Sequence, residues 1–163
     1  MAELSGLAAV VTGGGSGIGL AAARLLASRD AKVAVLDLKP GDEFTGLYAD
    51  VSDDASVREA IDTAAERLGG IDILVNNAGI GAIGTVADNS DDEWHRVFDV
   101  NVVGIVRVTR AALERRQPIG RLVTPDEVAA GIAYLASPLA SSVTGTSLAV
   151  DGGMAGLRIR PRS

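Results

Sequence analysis

Cysteine is absent from the 163-residue sequence, and histidine occurs once. The absence of cysteine excludes disulfide bonds, thiolate metal sites and a cysteine nucleophile, so the sequence indicates no metal centre. Aromatic residues make up only 3% of the chain although hydrophobic residues reach 47%, so alanine, valine, leucine and isoleucine must build the core. A chain of this length is expected to form a single domain over residues 1–163.

Positive charge and long apolar runs are also scarce. The formal net charge is −6, which argues against a nucleic-acid surface or an anionic membrane as a partner. No apolar run is long enough to span a bilayer. The first residues lack the basic start and the long apolar stretch of a signal peptide. We therefore expect a cytoplasmic protein with neither nucleic acid nor membrane as a partner.

Short apolar runs alternate with helical patterns in the first half of the chain. The runs LAAVVTGG, KVAVLDL, GLYAD and IDILV predict strands, and their continuous apolar character is typical of strands buried on both faces. GIGLAAARLLASRDA has helical spacing at Ile18, Ala22, Leu25 and Leu26, and a second helix over VREAIDTAAERL begins near Ser52 and stops at Gly69. This order predicts an α/β fold, a Rossmann-like doubly wound parallel sheet.

The alternation stops in the second half. A capping box at Ser90 and Glu93 predicts a helix of about two dozen residues that Pro118 ends. A second capping box, Thr124 to Glu127, starts another helix with no strand in between. VTGTSLAVDGG at 143–153 predicts a last strand, which makes about five strands in total. A basic tail, LRIRPRS, closes the chain.

The glycine-rich stretch TGGGSGIG at 12–19 joins the first strand to the first helix. Glycines there allow a sharp turn and a close approach to a pyrophosphate, whose charge the helix N-terminus favours. The spacing of Gly13, Gly17 and Gly19 differs from the usual G-x-G-x-x-G, and a simple tight turn is the alternative explanation. In this strand–loop–helix setting we expect a dinucleotide.

Asp37 ends the second strand, 18 residues after Gly19. A carboxylate at this place can accept hydrogen bonds from both ribose hydroxyls and repels a 2′-phosphate. Ser16 brings no positive charge for such a phosphate, although Lys39 lies close in sequence. The pattern favours NAD over NADP as the cofactor; an ordinary turn acid is the alternative for Asp37.

Six stretches together resemble the short-chain dehydrogenase/reductase family. They cover nearly the whole chain in the family's order: TGGGSGIG, DL after the second strand, ADV at 49–51, NNAG at 76–79, NVVG at 101–104, and VTGTSLAVDGG. The resemblance implies an NAD(H)-dependent oxidoreductase of secondary alcohols or ketones.

The resemblance also implies roles for individual residues. Asp50 and Val51 would flank the adenine, residues 76–79 would line the cofactor, and Asn101 matches the family's active-site asparagine, which helps to hold a proton-relay water. The candidate cofactor-binding residues are therefore Gly13, Gly15, Ser16, Gly17, Ile18, Gly19, Asp37, Leu38, Asp50, Val51, Asn77, Ala78 and Gly79. From the residues alone, Asn101 is a polar residue that interrupts a long helix.

The rest of the family's catalytic set has no counterpart. The family uses a serine and a Tyr-x-x-x-Lys pair, in which the lysine lowers the pKa of the tyrosine that transfers the proton. Here Tyr48 is followed four residues later by Ser52, and Tyr134 by Pro138. The family's fifth and sixth strands and its catalytic helix are also missing. We interpret residues 108–121 as the seam of an internal deletion.

Three functional hypotheses follow. The chain binds NAD(H) with little or no dehydrogenase activity, or it retains some hydride transfer with water or His95 as the proton source. Alternatively, it is a non-binding deletion product or an engineered scaffold. Because the long helix loses packing partners for its apolar residues, we also predict self-association as a homo-oligomer. That apolar set includes Val97, Phe98, Val102 and Val106.

Overall fold

The computed structural model describes residues 3–116, 119 and 121–153. Pro118 and the basic tail at 157–163, for which the sequence makes predictions, lie outside the described residues. The strands are β1 (Ala8–Thr12), β2 (Lys32–Asp37), β3 (Thr45–Tyr48) and β4 (Ile73–Val75). The helices are α1 (Gly17–Ser28), α2 (Asp54–Leu68), α3 (Asp91–Phe98), α4 (Gly104–Arg116) and α5 (Pro125–Ala136), with a π-helical segment at Asp99–Val103 and a 3₁₀ turn at Pro138–Ala140.

The four strands form one parallel sheet in the order β3-β2-β1-β4. Central β1 is buried along its whole length, and its Val10 pairs with Ala34 of β2 and Leu74 of β4. Helices connect consecutive strands except β2 and β3, and the Rossmann-like α/β prediction is confirmed. Because parallel strands end at the same edge, the loops after β1, β2, β3 and β4 share one end of the sheet.

One face of the sheet packs against α1. Val11 on this face contacts a cluster that includes Ala23 of the helix, and Gly19 is also buried. The apolar stripe predicted for this helix is partly wrong, because Ile18 is 83% exposed and Leu25 is 54% exposed. The helix lies close to the sheet through its small residues, and this leaves Ile18 facing outward near the glycine loop.

The opposite face packs against α2 and α4. Val10 and Leu36 of the sheet belong to the same buried cluster as Ile61 of α2 and Val108 of α4. The residues that link these elements are fully buried or nearly so. The helix that contains the NVVG motif is therefore held against the sheet by its inner side.

The ends of α2 follow the sequence prediction closely. The Asp53 carboxylate accepts a hydrogen bond from the Ala55 N–H at 2.9 Å and caps the first turn, and Gly69 ends the helix with φ of 84°. At the start of α3, Ser90 accepts from the Glu93 N–H at 3.3 Å. The Glu93 carboxylate binds Arg96 at 3.0 Å, so only half of the predicted capping box is present among these bonds.

Residues 91–116 are continuously helical, which confirms the long predicted helix. Its middle turn, Asp99–Val103, is a π-helix, and Asn101 lies within it. Single π-helical turns inside α-helices are frequent at functional sites. Asn101 therefore lies in a widened turn of an otherwise continuous helix.

The chain divides into two compact units, Met1–Ala112 and Leu113–Ser163. The boundary lies within the predicted seam at 108–121, and the single domain expected for the whole chain stays a prediction. No helix among the described residues combines the length and the apolar character that are needed to cross a membrane.

The second unit contains α5, whose capping box is complete. Thr124 accepts from the Glu127 N–H at 3.3 Å, and the Glu127 carboxylate accepts from the Thr124 N–H at 2.9 Å. The Arg121 guanidinium, together with the Thr124 bond, lowers the pKa of Glu127 to about 2. The prediction of a last strand at 143–153 is wrong, because no residue in this range is in a strand. A strand needs a hydrogen-bonded neighbour for its backbone groups.

Candidate functional site

The loop between β1 and α1 turns sharply at the carboxyl end of the sheet. Gly13 and Gly17 have φ of 64° and 54°, values that favour glycine. The Gly13 N–H donates to the carbonyl oxygen of Leu36 at 2.7 Å, which ties the loop to β2. Ser16 is the N-cap of α1 but makes no side-chain capping bond, so the first-turn amides are available to an anion, as at other helix N-termini.

Two glycines of the loop are required by close packing. A Cβ atom at Gly19 would lie 2.2 Å from the carbonyl oxygen of Gly13 and 2.5 Å from Nδ2 of Asn77. A Cβ atom at Gly15 would lie 2.2 Å from the carbonyl oxygen of Lys39. The loop is thus pressed against the start of α1 and the end of β2, as a site for close backbone approach to a ligand requires.

A buried network joins the ends of β1 and β4. The Thr12 hydroxyl, on a residue only 1% exposed, accepts from the Asn77 and Ala78 N–H groups at 3.0 and 3.1 Å. The Asn77 amide donates back to the carbonyl oxygens of Thr12 and Gly13 at 3.0 and 3.1 Å. This network fixes the NNAG loop beside the glycine loop.

Asp37 lies directly beside the glycine loop. One carboxylate oxygen accepts from the Gly15 N–H at 3.0 Å, and the other accepts from the Lys39 N–H at 2.9 Å. Asp37 therefore both caps a turn and contacts the glycine loop. A structural role as a turn acid and a role in cofactor binding are compatible. Each oxygen keeps a second lone pair for a further donor. Leu38 is exposed beside it.

Asp50 and Val51 follow β3 at the same end of the sheet. Oδ1 of Asp50 accepts from the N–H and the hydroxyl of Ser52 at 2.9 and 2.6 Å. These bonds hold the pKa of Asp50 below its ordinary value, and the positive charge of Arg107 acts in the same direction. Val51 is buried. Asp50 and Val51 therefore form an ionised carboxylate next to a buried apolar side chain.

The Asn101 side chain binds the loop that follows β4. Its Oδ1 accepts from the Ile80 N–H and its Nδ2 donates to the Ile80 carbonyl oxygen, both at 2.8 Å. Gly79 lies against it, since a Cβ there would be 3.2 Å from Oδ1 of Asn101. The amide thus anchors the π-helical turn to the loop, and the catalytic role implied for Asn101 stays a prediction.

The predicted cofactor residues lie at one end of the sheet, in the first turn of α1, at the end of β2 and on the loops that follow the strands. Direct bonds connect Gly15 with Asp37 and Gly13 with Asn77. The other titratable candidates are not part of this cluster of bonds: His95 is exposed on α3, and Tyr48 is exposed at the end of β3. Among the described residues, no group of three or more acidic or histidine side chains could hold a metal ion.

Sequence reasoning missed Arg107. This arginine lies on α4, and its guanidinium donates to the carbonyl oxygen of Val51 at 3.2 Å. The only signal in the sequence is a single cation within the otherwise uncharged and mostly apolar stretch VVGIVRV. Such a cation is equally typical of an exposed helix position.

Residues 7–137 match the family described as short chain dehydrogenase. The chain is 36% identical over 180 residues to the oxidoreductase UcpA of Escherichia coli K12, an alignment that covers 98% of this chain and 68% of that protein. It also resembles a solved short chain dehydrogenase from Burkholderia cenocepacia J2315 in complex with NADP, with 37% identity and a TM-score of 0.64. That match covers 69% of this chain and 51% of the solved chain, about half its length.

A further relative is longer than this chain within the aligned region. The cis-4-hydroxycyclohexanecarboxylate dehydrogenase of Sinomonas cyclohexanicum is 30% identical over 236 residues, covering 89% of this chain and 95% of that protein. The alignment is 73 positions longer than the 163 residues of this chain. The relative therefore has residues, inside the aligned region, for which this chain has no equivalent.

Proposed function

The chain belongs to the short-chain dehydrogenase/reductase family, and on that basis we propose that it binds NAD(H) with little or no dehydrogenase activity. The binding proposal rests on one hydrogen bond: the Asp37 carboxylate accepts from the Gly15 N–H of the glycine loop at 3.0 Å. In this position Asp37 would accept hydrogen bonds from the ribose hydroxyls, and the nearby N-terminus of α1 would favour the pyrophosphate.

The residues present fit a dinucleotide. Gly15 and Gly19 let the loop pack closely against neighbouring backbone, and this keeps the loop at the N-terminus of α1, where a pyrophosphate would be favoured. Asp50 and Val51 would take the adenine, and Asn77, Ala78 and Gly79 would line the cofactor towards its nicotinamide. Exposed Ile18 and Leu38 offer apolar surface that a bound cofactor would cover. When bound, the cofactor would supply the hydride.

The weak activity follows from the chain's own residues. Neither tyrosine is followed by a lysine at the fourth position, so the family's proton-transfer pair is absent from the sequence. We infer that an internal deletion with its seam at 108–121 removed that pair together with the catalytic serine. The long alignment with the Sinomonas relative supports this inference. The ancestral substrates would be secondary alcohols or ketones.

The preference for NAD over NADP is tested by removing the carboxylate. We expect the wild-type chain to bind NADH at least about ten-fold more tightly than NADPH, because a 2′-phosphate would lie against Asp37. Asp37→Ser should bring the two affinities to within about three-fold of each other, mainly by weakening NADH. Isothermal titration calorimetry with both cofactors measures this.

Asp42→Ser is the matched control, since it removes one negative charge from an exposed residue five positions later. It should leave the ratio of affinities unchanged. Tighter binding of NADPH than NADH by the wild-type chain would overturn the proposed preference. The absence of heat with either cofactor would overturn the binding proposal itself.

We also propose that the outer face of the helical stretch 91–116, defined as Phe98, Val102, Ile105 and Val106, binds a second copy of the chain. Phe98 is 59% exposed and Val106 is 54% exposed, although the inner side of α4 is buried against the sheet. These four apolar side chains recur at helical spacing, so they form one stripe. Two such stripes can cover each other in an isologous pair.

Light scattering in dilute solution should therefore report a dimer or a larger species. Replacing Val102 and Val106 by glutamate should shift the population to monomer, because burying four like charges in a symmetric interface is unfavourable. Ile83→Glu, at an exposed loop residue, is the control and should leave the association unchanged. A monodisperse wild-type monomer would contradict this proposal.

A further inference from the structure

Arg107 connects the first turns of α4 to the loop that follows β3. Its Nη1 donates to the carbonyl oxygens of Val51 at 3.2 Å and Asp99 at 3.4 Å, and its Nη2 binds Oδ1 of Asp99 at 2.8 Å. The Arg107 side chain is only 18% exposed. A guanidinium removed from water in this way must be paired, and here both halves of its planar fork are used.

Val51 is fixed from the same side by α4 itself. The backbone at Gly104 approaches so closely that a Cβ there would lie 3.0 Å from Cγ2 of Val51 and 3.2 Å from its carbonyl oxygen. Gly104 and Arg107 are one helical turn apart on the same face of α4, so both contact Val51. The position of this residue thus depends on α4 rather than on β3 alone.

The neighbouring Asp50 is held by different groups. Its N–H donates to the Ser56 hydroxyl at 3.0 Å, and its Oδ1 is taken by the two bonds from Ser52. This leaves Oδ2 of the carboxylate available to a ligand in the described structure. Ser52 and Ser56 therefore hold Asp50, and Arg107 holds the next residue along the chain.

We propose that Arg107 is a positioning residue for the adenine end of the cofactor, acting through the carbonyl oxygen of Val51. The proposal rests on the NAD(H) binding proposed above and deepens it. Arg107 contacts the protein, not the cofactor, and it fixes the Asp50–Val51 loop in the form that accepts adenine. Its ion pair with Asp99 couples that loop to the π-helical turn that contains Asn101.

A general stabilising role would look different from this one. If Arg107 only strengthened the fold, its loss would weaken the binding of every part of the cofactor to the same degree. If it positions Val51, its loss affects ligands that contain adenine and spares those that contain only nicotinamide. Fragments of the cofactor separate these two cases.

The experiment compares NADH, AMP and reduced nicotinamide mononucleotide on the intact chain, with dissociation constants taken from NMR titrations. Arg107→Met should weaken AMP and NADH by about ten-fold, the effect of losing a hydrogen bond from a charged donor, and leave the mononucleotide within about two-fold. Arg107→Lys keeps the charge but not the fork, so it should restore part of the lost AMP affinity.

Arg96→Met is the matched control, because Arg96 forms an exposed ion pair with Glu93 on the same helical stretch. It should change neither fragment. If Arg107→Met does not fold, two milder variants replace it: Arg107→Lys, and Asp99→Asn, which keeps the guanidinium. Relative to the wild-type chain, both should weaken the binding of AMP and leave the binding of the mononucleotide unchanged. Parallel weakening of both fragments, or unchanged AMP affinity in a folded variant, would overturn the positioning role.

A failure of the binding proposal itself has a different signature. In that case the wild-type chain would bind neither AMP nor NADH, and the variants would have nothing to change. If the wild-type chain binds AMP and Arg107→Met binds it with the same affinity, only the positioning role of Arg107 is overturned.

Discussion

Gly19→Ala is expected to abolish measurable NADH binding and to lower the free energy of unfolding by about 2 kcal/mol. The added methyl group would lie 2.2 Å from the carbonyl oxygen of Gly13 and 2.5 Å from Nδ2 of Asn77. Neither neighbour is the free end of a flexible side chain, since the Asn77 amide is bound to Gly13 and Thr12. The glycine loop must therefore move away from α1.

Calorimetry with NADH and urea denaturation measure the two parts of this prediction. We expect the affinity to fall by at least about one hundred-fold, because a displaced loop loses several backbone contacts to the pyrophosphate at once. Gly81→Ala is the control: the space around Gly81 is open and its φ is ordinary, so both quantities should be unchanged. Wild-type affinity in Gly19→Ala would mean that the cofactor does not use this loop.

The second large effect concerns turnover. We expect the rate of ketone reduction with NADH to lie at least about a thousand-fold below that of a family member with the intact Tyr-x-x-x-Lys pair, because general acid catalysis alone contributes roughly 10² to 10⁴. Steady-state assays of both proteins at saturating NADH compare the rates. The comparison measures the combined effect of losing the proton-transfer pair and the segment that carries it.

His95 offers the main alternative source of a proton. It is exposed on α3, and none of the described hydrogen bonds joins it to the glycine loop or to the loop after β4. His95→Ala should therefore leave any residual rate unchanged. A residual rate that disappears in this variant would restore the hypothesis of a working, rearranged oxidoreductase.

Much of the cofactor end of the fold could be predicted because its signals are local. Buried β1 and β2 appear as continuous apolar runs, whereas β3 and β4, also predicted as buried on both faces, are only partly buried. The glycine stop of α2 and the capping box of α5 involve residues within a few positions of each other. The clustering of Asp37 with the glycine loop also follows from topology, since parallel strands end at one edge.

The remaining features depend on contacts between residues distant in sequence. Asn101, in the π-helical turn, accepts a hydrogen bond from the Ile80 N–H, 21 positions away. Arg107 donates to the carbonyl oxygen of Val51, 56 positions away. The exposure of Ile18 results from how closely α1 packs on the sheet. The last strand predicted at 143–153 does not form. A strand requires a hydrogen-bonded neighbour, and the apolar pattern of a segment does not show whether a neighbour is present.

We propose that the chain binds NADH and transfers its hydride very slowly or not at all. The most direct test follows the fluorescence of NADH in the presence of excess wild-type protein, before and for hours after addition of a series of ketones. We predict a saturable change in NADH fluorescence on binding, followed by a signal that, with every ketone, decays at least about a thousand-fold more slowly than with a family member that has the intact Tyr-x-x-x-Lys pair. A ketone-dependent decay as fast as in that family member, or no change in fluorescence on mixing, would contradict the proposal.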